Sequence, residues 1–313
     1  MKAIILKGFG GIEQLQEADI PVPDVKAGDV LVKLKSISVN PVDYKTRSGK
    51  GMASRIKDQF PVILGWDISG VITAVGSDVT DYKAGDEVFA MIGFPKLANA
   101  YAEYVIADPA ELALKPANIS HDEAAAATLA ALTAWQALTV NVKINPGDKV
   151  LIHAASGGVG HYAVQLAKHM GAYVIATSSA ANKDFVLSLG ADEHIDYKTQ
   201  KVEEIVGDLD FVLDPIGGNT TAQSLTLLKP GGTAISIVHA FNEDLLQKAK
   251  QLGVNAHNIL VYTSGNDMKI IAGLLEKGII RSHVSHVFPF AQMGQAHHQL
   301  ETGRTVGKIT LSL

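Results

Sequence analysis

Residues 148–160 read Asp-Lys-Val-Leu-Ile-His-Ala-Ala-Ser-Gly-Gly-Val-Gly, and this stretch decides the fold class. An apolar strand predicted over Lys149–His153 leads into a turn of small residues, and a helix is predicted from about Val159. Side chains in such a turn would keep a pyrophosphate away from the N–H groups at the helix N-terminus. Gly157 permits that approach, and Gly160 permits close packing of helix and strand. The stretch therefore predicts a dinucleotide-binding turn formed by Ser156, Gly157, Gly158, Val159 and Gly160.

The turn departs from the common G-x-G-x-x-G pattern at its first position, which is Ala155. A glycine-rich turn in another kind of α/β domain is the alternative interpretation. The order of strand, turn and helix favours the dinucleotide site, because that order is what the phosphate-binding geometry requires.

Composition narrows the classes of function. The chain has 313 residues, enough for two domains, and a net charge of −5, which gives no reason to expect a nucleic acid partner. The absence of cysteine excludes disulfides, thiolate chemistry and cysteine-ligated zinc. Met1–Leu6 is predicted to be a first strand rather than a signal peptide. Since no window holds about 18 uncharged apolar residues, no membrane segment is predicted, and we expect a cytoplasmic enzyme.

The pattern of elements changes along the chain. The first third has short apolar segments between turn signals, which predicts a small barrel or sandwich. Strands and helices alternate from Lys149 onward, as in a parallel sheet with helices on both faces. The predicted strands of this later region are Lys149–His153, Tyr173–Ala176, Phe211–Asp214, Thr233–Val238 and Ile259–Tyr262.

Two local patterns define the predicted domains. Ser120-His121-Asp122-Glu123 fits a capping box ahead of an alanine-rich helix, where the pattern changes. The last predicted strand, Lys308–Leu313, is expected to return to the β-rich part. We therefore predict a β-rich catalytic domain of residues 1–120 plus 263–313, with a nucleotide-binding domain of residues 121–262 inserted into it.

Several motifs in order along the chain resemble those of the medium-chain dehydrogenase/reductase superfamily. The motifs are Val39-Asn40-Pro41-Val42-Asp43, Gly65-Trp66-Asp67-Ile68-Ser69-Gly70, Ala84-Gly85-Asp86-Glu87-Val88, the turn of residues 154–160, the segment of residues 210–218, and Lys229-Pro230-Gly231-Gly232. Within the superfamily the chain is similar to the zeta-crystallin-like quinone oxidoreductase branch. The resemblance implies an α/β protein in which a doubly wound Rossmann domain is inserted into a GroES-like domain. It also implies NADPH-dependent reduction and a homodimer.

The zinc-dependent alcohol dehydrogenases of that superfamily provide a contrast. Their catalytic zinc takes a cysteine where this chain has Asn40 and a histidine where it has Trp66. Because neither side chain is a zinc ligand, we predict no metal site, and reduction of a conjugated acceptor is favoured over alcohol oxidation. His297 and His298 are adjacent on a predicted helix, so they diverge, and both are predicted to lie at the surface.

The end of the second Rossmann strand favours NADPH over NADH. An acidic residue there would bind the ribose diol of NADH, but this chain has Ala176-Thr177-Ser178-Ser179. Ser178 and Ser179 offer hydroxyl donors to a 2′-phosphate, and Lys183 offers positive charge. Tyr197 resembles the tyrosine that lines the 2′-phosphate in this family. The alternatives are turn or capping roles for the serines and a solvated position for Lys183.

The segment of residues 40–49 resembles the part of the family that faces the nicotinamide. Many quinone reductases have tyrosine at the position of Lys45. A lysine at this position resembles plant-type enone and alkenal reductases, and Lys45 is predicted to bind the nicotinamide ribose or the substrate oxygen. Asn40 is a predicted donor to cofactor or substrate, and Tyr44 a predicted proton donor. The alternatives are an exposed Lys45, a turn role for Asn40 and core packing for Tyr44, while Asp43 is predicted to pair with Arg47. Further cofactor contacts are predicted at Thr133, Val238, Gly307 and Lys308.

The sequence therefore predicts a zinc-independent, NADPH-dependent reductase of quinones or α,β-unsaturated carbonyl compounds. Two alternatives stay open. One is an enoyl-thioester reductase, and the other is a non-catalytic NADPH-binding protein with a structural or regulatory role.

Overall fold

A computed structural model describes residues 1–140 and 142–313. Its strands are β1 (Lys2–Leu6), β2 (Leu15–Asp19), β3 (Val30–Val39), β4 (Val62–Ile63), β5 (Asp67–Val75), β6 (Glu87–Met91), β7 (Tyr104–Ala107), β8 (Ala113–Leu114), β9 (Lys149–Ile152), β10 (Tyr173–Ser178), β11 (Glu193–Asp196), β12 (Leu209–Asp214), β13 (Leu228–Ser236), β14 (Asn255–Asn258), β15 (Val284–Pro289) and β16 (Lys308–Ser312). Its α-helices are α1 (Pro41–Arg47), α2 (His121–Ala126), α3 (Leu129–Thr139), α4 (Gly160–His169), α5 (Lys183–Ser188), α6 (Asn219–Leu227), α7 (Glu243–Leu252), α8 (Gly265–Glu276) and α9 (Met293–Glu301).

The described residues divide into two compact units. The first comprises Met1–Leu132 and Tyr262–Leu313, and the second comprises Thr133–Val261. The first boundary therefore lies at residues 132/133, later than the 120/121 boundary predicted from the sequence. The capping box does begin a helix at His121, but that helix packs on β3 and β5 of the first unit. The N–H of Leu129 also donates to Asp67 of β5 across 3.0 Å, so the start of α3 belongs to the first unit.

The second unit is built on a six-stranded parallel sheet in the order β11-β10-β9-β12-β13-β14. This is the doubly wound order, in which the direction of winding reverses between β9 and β12. The alternation predicted from residue 149 onward is confirmed. The strand predicted at Ile259–Tyr262 is wrong, because the sheet ends instead with β14, whose residues pair with Thr233–Ser236. The sequence Asn-Ala-His-Asn has no apolar pattern, so backbone pairing at the sheet edge is what makes it a strand.

The first unit contains a seven-stranded sheet and a smaller sheet in the order β2-β1-β4. Strand β16 pairs antiparallel with β3, with Leu311 opposite Ile37, so the predicted return of the last strand is confirmed. Buried apolar side chains from both chain segments form one core, in which Ile37, Ile68 and Leu311 are fully buried. No helix among the described residues is long and apolar enough to cross a bilayer.

Candidate active site

The glycine-rich turn of the second unit follows β9, at the position where the strand order reverses. Ala154 has φ of 46°, and its carbonyl accepts a hydrogen bond from the N–H of Gly157 across 2.9 Å. Helix α4 begins at Gly160, where a Cβ would lie 2.3 Å from the oxygen of Ala154 and 2.8 Å from the Cα of Ala155. Glycine is therefore required at 160 for the helix to start against the turn, as its packing role predicts.

A buried histidine that the sequence analysis missed supports this turn. His153 directly follows β9, and its two ring nitrogens lie 3.2 Å from Thr177 Oγ1 and 3.1 Å from Ser224 Oγ. Burial lowers the pKa of His153 to about 4, so the ring is neutral. Thr177 in turn accepts the N–H of Ala155 at its carbonyl, across 2.9 Å. The turn is thus bonded to β10, the strand that carries the predicted cofactor-selecting residues.

Beyond β10 the structure brings several of the predicted residues together. Ser178 is buried and donates to the carbonyl of Ser179 across 3.1 Å. Lys183 is the first residue of α5 and is exposed, and Tyr197 is 58% exposed. The N–H of Tyr197 donates to the carbonyl of Ser178 across 3.3 Å. The side chain of Asn182 donates to Ser156 Oγ across 3.1 Å, so this region is bonded to the glycine-rich turn.

Two titratable side chains next to these residues were not predicted. His194 of β11 lies with Nε2 2.7 Å from Ser178 Oγ. Asp196 ends the same strand, opposite Ser178, and accepts hydrogen bonds from the N–H of Lys198 and the hydroxyl of Thr199. These donors lower the pKa of Asp196, so it is ionised at neutral pH. Only the pairing of β10 with β11 brings both side chains here, and no local motif indicates it.

In the first unit, Asn40 lies between two charged and buried side chains. Its Nδ2 donates to Asp67 Oδ2 across 2.7 Å, and its Oδ1 accepts from Lys308 Nζ across 2.5 Å. Lys308 also donates to the carbonyl of Val39 across 3.2 Å. Burial lowers the pKa of Lys308, while the charge of Asp67 opposes that shift. The predicted cofactor residue Lys308 is thus placed with its ammonium directed at the predicted catalytic residue Asn40.

A second buried carboxyl group lies at the start of α1. Asp43 is fully buried, and Oδ2 accepts the N–H of Asn40 across 2.5 Å. Burial raises the pKa of Asp43 to about 8, while the hydrogen bond from Asn40 opposes that rise. The predicted pair of Asp43 with Arg47 is wrong. Arg47 instead pairs with Glu301 of α9 and donates from Nε to the carbonyl of Gly10.

His297 is buried, so the prediction that both adjacent histidines are at the surface is wrong for it, whereas His298 is exposed. His297 Nε2 lies 2.9 Å from the hydroxyl of Tyr101, and Nδ1 lies 3.5 Å from an Arg47 nitrogen. Burial and, to a smaller extent, the charge of Arg47 lower the pKa of His297 to about 3. A neutral ring that accepts from Arg47 at Nδ1 donates from Nε2 to Tyr101, whose hydroxyl lies near Asp43.

The predicted catalytic side chains of α1 are less buried than this cluster. Lys45 and Tyr44 are both partly exposed, and burial raises the pKa of Tyr44. Trp66 is 1% exposed, packs edge-on against Phe94 and donates from Nε1 to the carbonyl of Lys96 across 2.6 Å. The remaining predicted cofactor residues are Thr133, which is buried in α3, Val238, which lies just beyond β13, and Gly307, which precedes β16 with φ of 62°.

The described residues contain no group of three or more His, Asp or Glu side chains placed to hold a metal ion. At Asn40, both polar atoms of the side chain are already hydrogen-bonded to protein groups. At Trp66, the indole is only a donor. Neither position therefore offers a ligand atom to zinc.

Comparison with known proteins agrees with this architecture. Residues 26–117 match the alcohol dehydrogenase GroES-like domain, and residues 189–311 match the zinc-binding dehydrogenase family. The chain is 34% identical over 99% of its length, and over 79% of the relative, to the chloroplastic NADPH-dependent alkenal/one oxidoreductase of Arabidopsis thaliana. It is similar in structure to the quinone oxidoreductase of Coxiella burnetii, with 37% identity, a TM-score of 0.95, and 100% and 99% of the two chains covered. The Escherichia coli quinone oxidoreductase complexed with NADPH covers 100% of both chains with 28% identity and a TM-score of 0.89.

A GroES-like unit combined with a doubly wound Rossmann unit defines a dehydrogenase or reductase of the medium-chain type. The chain belongs to the medium-chain dehydrogenase/reductase superfamily, among the quinone and alkenal/one oxidoreductases. The family, and the fold class predicted with it from the sequence motifs, are confirmed.

Proposed function

We propose that this protein is an NADPH-dependent reductase of quinones or α,β-unsaturated carbonyl compounds that needs no zinc. The observation that carries the proposal is the 34% identity, over nearly the whole chain, to an NADPH-dependent alkenal/one oxidoreductase. The glycine-rich turn after β9 supports it, because this turn has the geometry that a pyrophosphate requires. Asn40 and Trp66 stand at the two positions where the zinc-dependent alcohol dehydrogenases have zinc ligands, and both side chains are hydrogen-bonded within the protein. Their presence supports a reaction without a metal.

The second unit has residues that fit the cofactor. The glycines at 157, 158 and 160 and the N-terminus of α4 would bind the pyrophosphate, together with Ser156 and Val159. The exposed Lys183 ammonium, with Ser179 and Tyr197, would bind the 2′-phosphate. When bound, NADPH supplies a hydride to the ring of a quinone or to the β-carbon of an enone. Thr133 and Val238 of the second unit are proposed at the nicotinamide end, and the cofactor contacts of Gly307 and Lys308 of the first unit stay predictions.

Reduction of such an acceptor places negative charge on a carbonyl oxygen. A cation or donor next to that oxygen lowers the barrier, because it binds the transition state more strongly than the substrate. The ammonium of Lys45 is proposed for this role, since the side chain is partly exposed on α1. The Asn40 amide has a second Nδ2 hydrogen that does not bond to Asp67, and Asn40 is proposed to contact cofactor or substrate with it. Tyr44 is proposed to donate a proton or to line the site.

The proposal is tested by following oxidation of NADPH and NADH with a naphthoquinone, a short enone, an alkenal and an enoyl thioester, each with and without a chelator. We expect turnover that prefers NADPH, resists the chelator and is fastest with a quinone or an enone. Preference for the enoyl thioester would favour a thioester reductase instead. Tight binding of NADPH with no turnover of any acceptor would contradict the enzymatic function.

A homodimer is also proposed, joined at the free edge of the six-stranded sheet. Strand β14 ends that sheet, so its outer backbone groups are available for pairing with a second copy. Leu260 follows the strand and is 43% exposed, which supplies apolar surface beside the edge. Sedimentation equilibrium of the wild type and of Ala256→Pro, which removes a backbone donor from β14, would test this interface. The cytoplasmic location stays a prediction that cell fractionation would test.

A further inference from the structure

Ser178 is less available to a ligand than its hydroxyl suggests. It is 2% exposed, its Oγ is 3.1 Å from the carbonyl oxygen of Ser179, and it is 2.7 Å from Nε2 of His194. A hydroxyl has one hydrogen, so both contacts are satisfied when Ser178 donates to Ser179 and accepts from His194 Nε2–H. The single proton of Ser178 is then used within the protein. The contact with the 2′-phosphate that the sequence predicts for this serine is therefore open to a residue beside it.

His194 is the neighbour of Ser178 that can contact a ligand. With Nε2–H held by Ser178, the other nitrogen, Nδ1, has no hydrogen-bond partner among the described residues. The ring is partly buried beside the last residue of β10, where the β10–β11 pairing places the ends of both strands together. A neutral ring offers a lone pair at Nδ1, whereas a protonated ring offers an N–H and a positive charge. Only the protonated ring suits an anion.

The charges around His194 decide when it is protonated. Burial lowers its pKa, the ammonium of Lys183 at the start of α5 lowers it further, and Asp196 on the same strand raises it. Without a ligand, His194 is therefore mostly neutral at neutral pH. A phosphate dianion close to Lys183 would offset the repulsion between the two cations, and His194 would then take up a proton.

We propose that His194 binds the 2′-phosphate of NADPH directly, donating from Nδ1 while Ser178 fixes the ring through Nε2. Ser178 is then a positioning residue, and selectivity for the phosphorylated cofactor is coupled to uptake of one proton. This inference rests on the proposed NADPH dependence and adds to it the residue that distinguishes the two cofactors together with Lys183.

Calorimetric titration of the full chain with 2′,5′-ADP and with 5′-AMP tests the proposal without turnover. At about pH 6.5, we expect His194→Gln to weaken binding of 2′,5′-ADP about tenfold, because the 2′-phosphate loses a charged donor. Glutamine keeps the donation to Ser178. The loss should shrink to about threefold or less near about pH 8.5, where the wild-type ring is neutral. Binding of 5′-AMP should stay within about twofold of wild type throughout.

His169→Gln is the matched control, because His169 is an exposed histidine at the end of α4 in the same unit, and it should bind both nucleotides as the wild type does. Proton uptake by the wild type, measured in two buffers of different ionisation enthalpy, gives a second readout that does not depend on how well a variant folds. We expect greater uptake with 2′,5′-ADP than with 5′-AMP.

Two outcomes would overturn the proposal, and they are distinguishable. Equal affinity of wild type and His194→Gln for 2′,5′-ADP at both pH values would exclude a contact from His194 and leave the NADPH-dependent function standing. No preference of the wild type for 2′,5′-ADP over 5′-AMP would remove the 2′-phosphate site altogether, and with it the proposed cofactor.

Discussion

Lys308 and Asn40, which are 268 residues apart in the sequence, are joined by a hydrogen bond of 2.5 Å in the interior of the first unit. The side chain of Lys308 is 4% exposed, and its Nζ lies 3.7 Å from Asp67 Oδ2. Asn40 bonds to Lys308 through Oδ1 and to Asp67 through Nδ2, so the orientation of its amide is determined. A predicted catalytic residue is therefore held by a buried ion pair, whose removal should affect both stability and activity.

Replacing Lys308 by methionine should lower the free energy of unfolding by about 3 kcal/mol, because burial already raises the pKa of Asp67 and the carboxyl group then either keeps an unpaired charge or takes up a proton. Denaturant unfolding measures this change. Lys57→Met is the control, since Lys57 is an exposed lysine of the same unit, and it should change stability by less than about 0.5 kcal/mol. A loss at Lys308 no larger than in the control would mean that the ion pair contributes nothing to stability.

The carboxyl group of Asp43 should make stability depend on pH. Its pKa is about 8 in the folded protein, against about 3.9 in an unfolded chain. Between these values the folded state holds more protons, so the free energy of unfolding falls as pH rises through this window. Asp43→Asn keeps an oxygen that accepts the N–H of Asn40 but cannot ionise. The free energy of unfolding of this variant should therefore decrease less steeply with pH. Unfolding curves at several pH values measure how the free energy of unfolding depends on pH, and Asp58→Asn, at an exposed aspartate, is the control. An unchanged pH dependence in Asp43→Asn would show that a group other than Asp43 causes it.

Contacts between residues close in the sequence could be predicted, whereas contacts between distant residues could not. The need for glycine at 160 and the capping box at Ser120 and Glu123 are local, because the interacting atoms lie within six residues of each other. Both were predicted. The burial of His297 depends on Tyr101 and Arg47, 196 and 250 residues away, and no local pattern indicates those contacts.

The same limit applies to the end of the sheet and to the proposed phosphate site. Strand β14 is polar, so it forms through pairing with β13 rather than through an apolar pattern. Ser178 and Lys183 could be proposed from the sequence because they lie at the end of the second strand and at the start of the next helix, where the cofactor-selecting residues are expected. His194 could not, since only the register of β11 against β10 brings it to Ser178.

Gly160→Ala should destabilise the second unit and weaken NADPH binding. The new methyl group would lie 2.3 Å from the carbonyl oxygen of Ala154, so α4 must shift away from the turn, at a cost of about 2 kcal/mol. Gly273→Ala in α8 is a matched control, because its Cβ has no neighbour within 4 Å and alanine favours a helix. Thermal unfolding and NADPH titration should show losses for Gly160→Ala only; a stable variant that binds NADPH normally would contradict the packing argument.

Lys183→Ala should weaken NADPH binding about tenfold and leave NADH binding within about twofold, because only the phosphorylated cofactor uses the ammonium. Fluorescence titration with both cofactors measures the ratio, and Lys250→Ala, an exposed lysine on α7, provides the control. The selectivity should also decrease as salt is added, since the site is exposed. An equal effect on NADPH and NADH would exclude a specific contact of Lys183 with the 2′-phosphate.

Lys45→Ala should lower kcat/KM for the preferred acceptor about 100-fold, because the negative charge that develops on the carbonyl oxygen loses its cation. NADPH affinity should change much less if the ammonium acts on the acceptor, whereas a matching loss of cofactor affinity would assign Lys45 to the nicotinamide ribose. Lys50→Ala is the matched control, since Lys50 is exposed and lies five residues further along. Steady-state kinetics and cofactor titration of both variants separate these roles, and a wild-type rate in Lys45→Ala would show that Lys45 serves only as a surface residue.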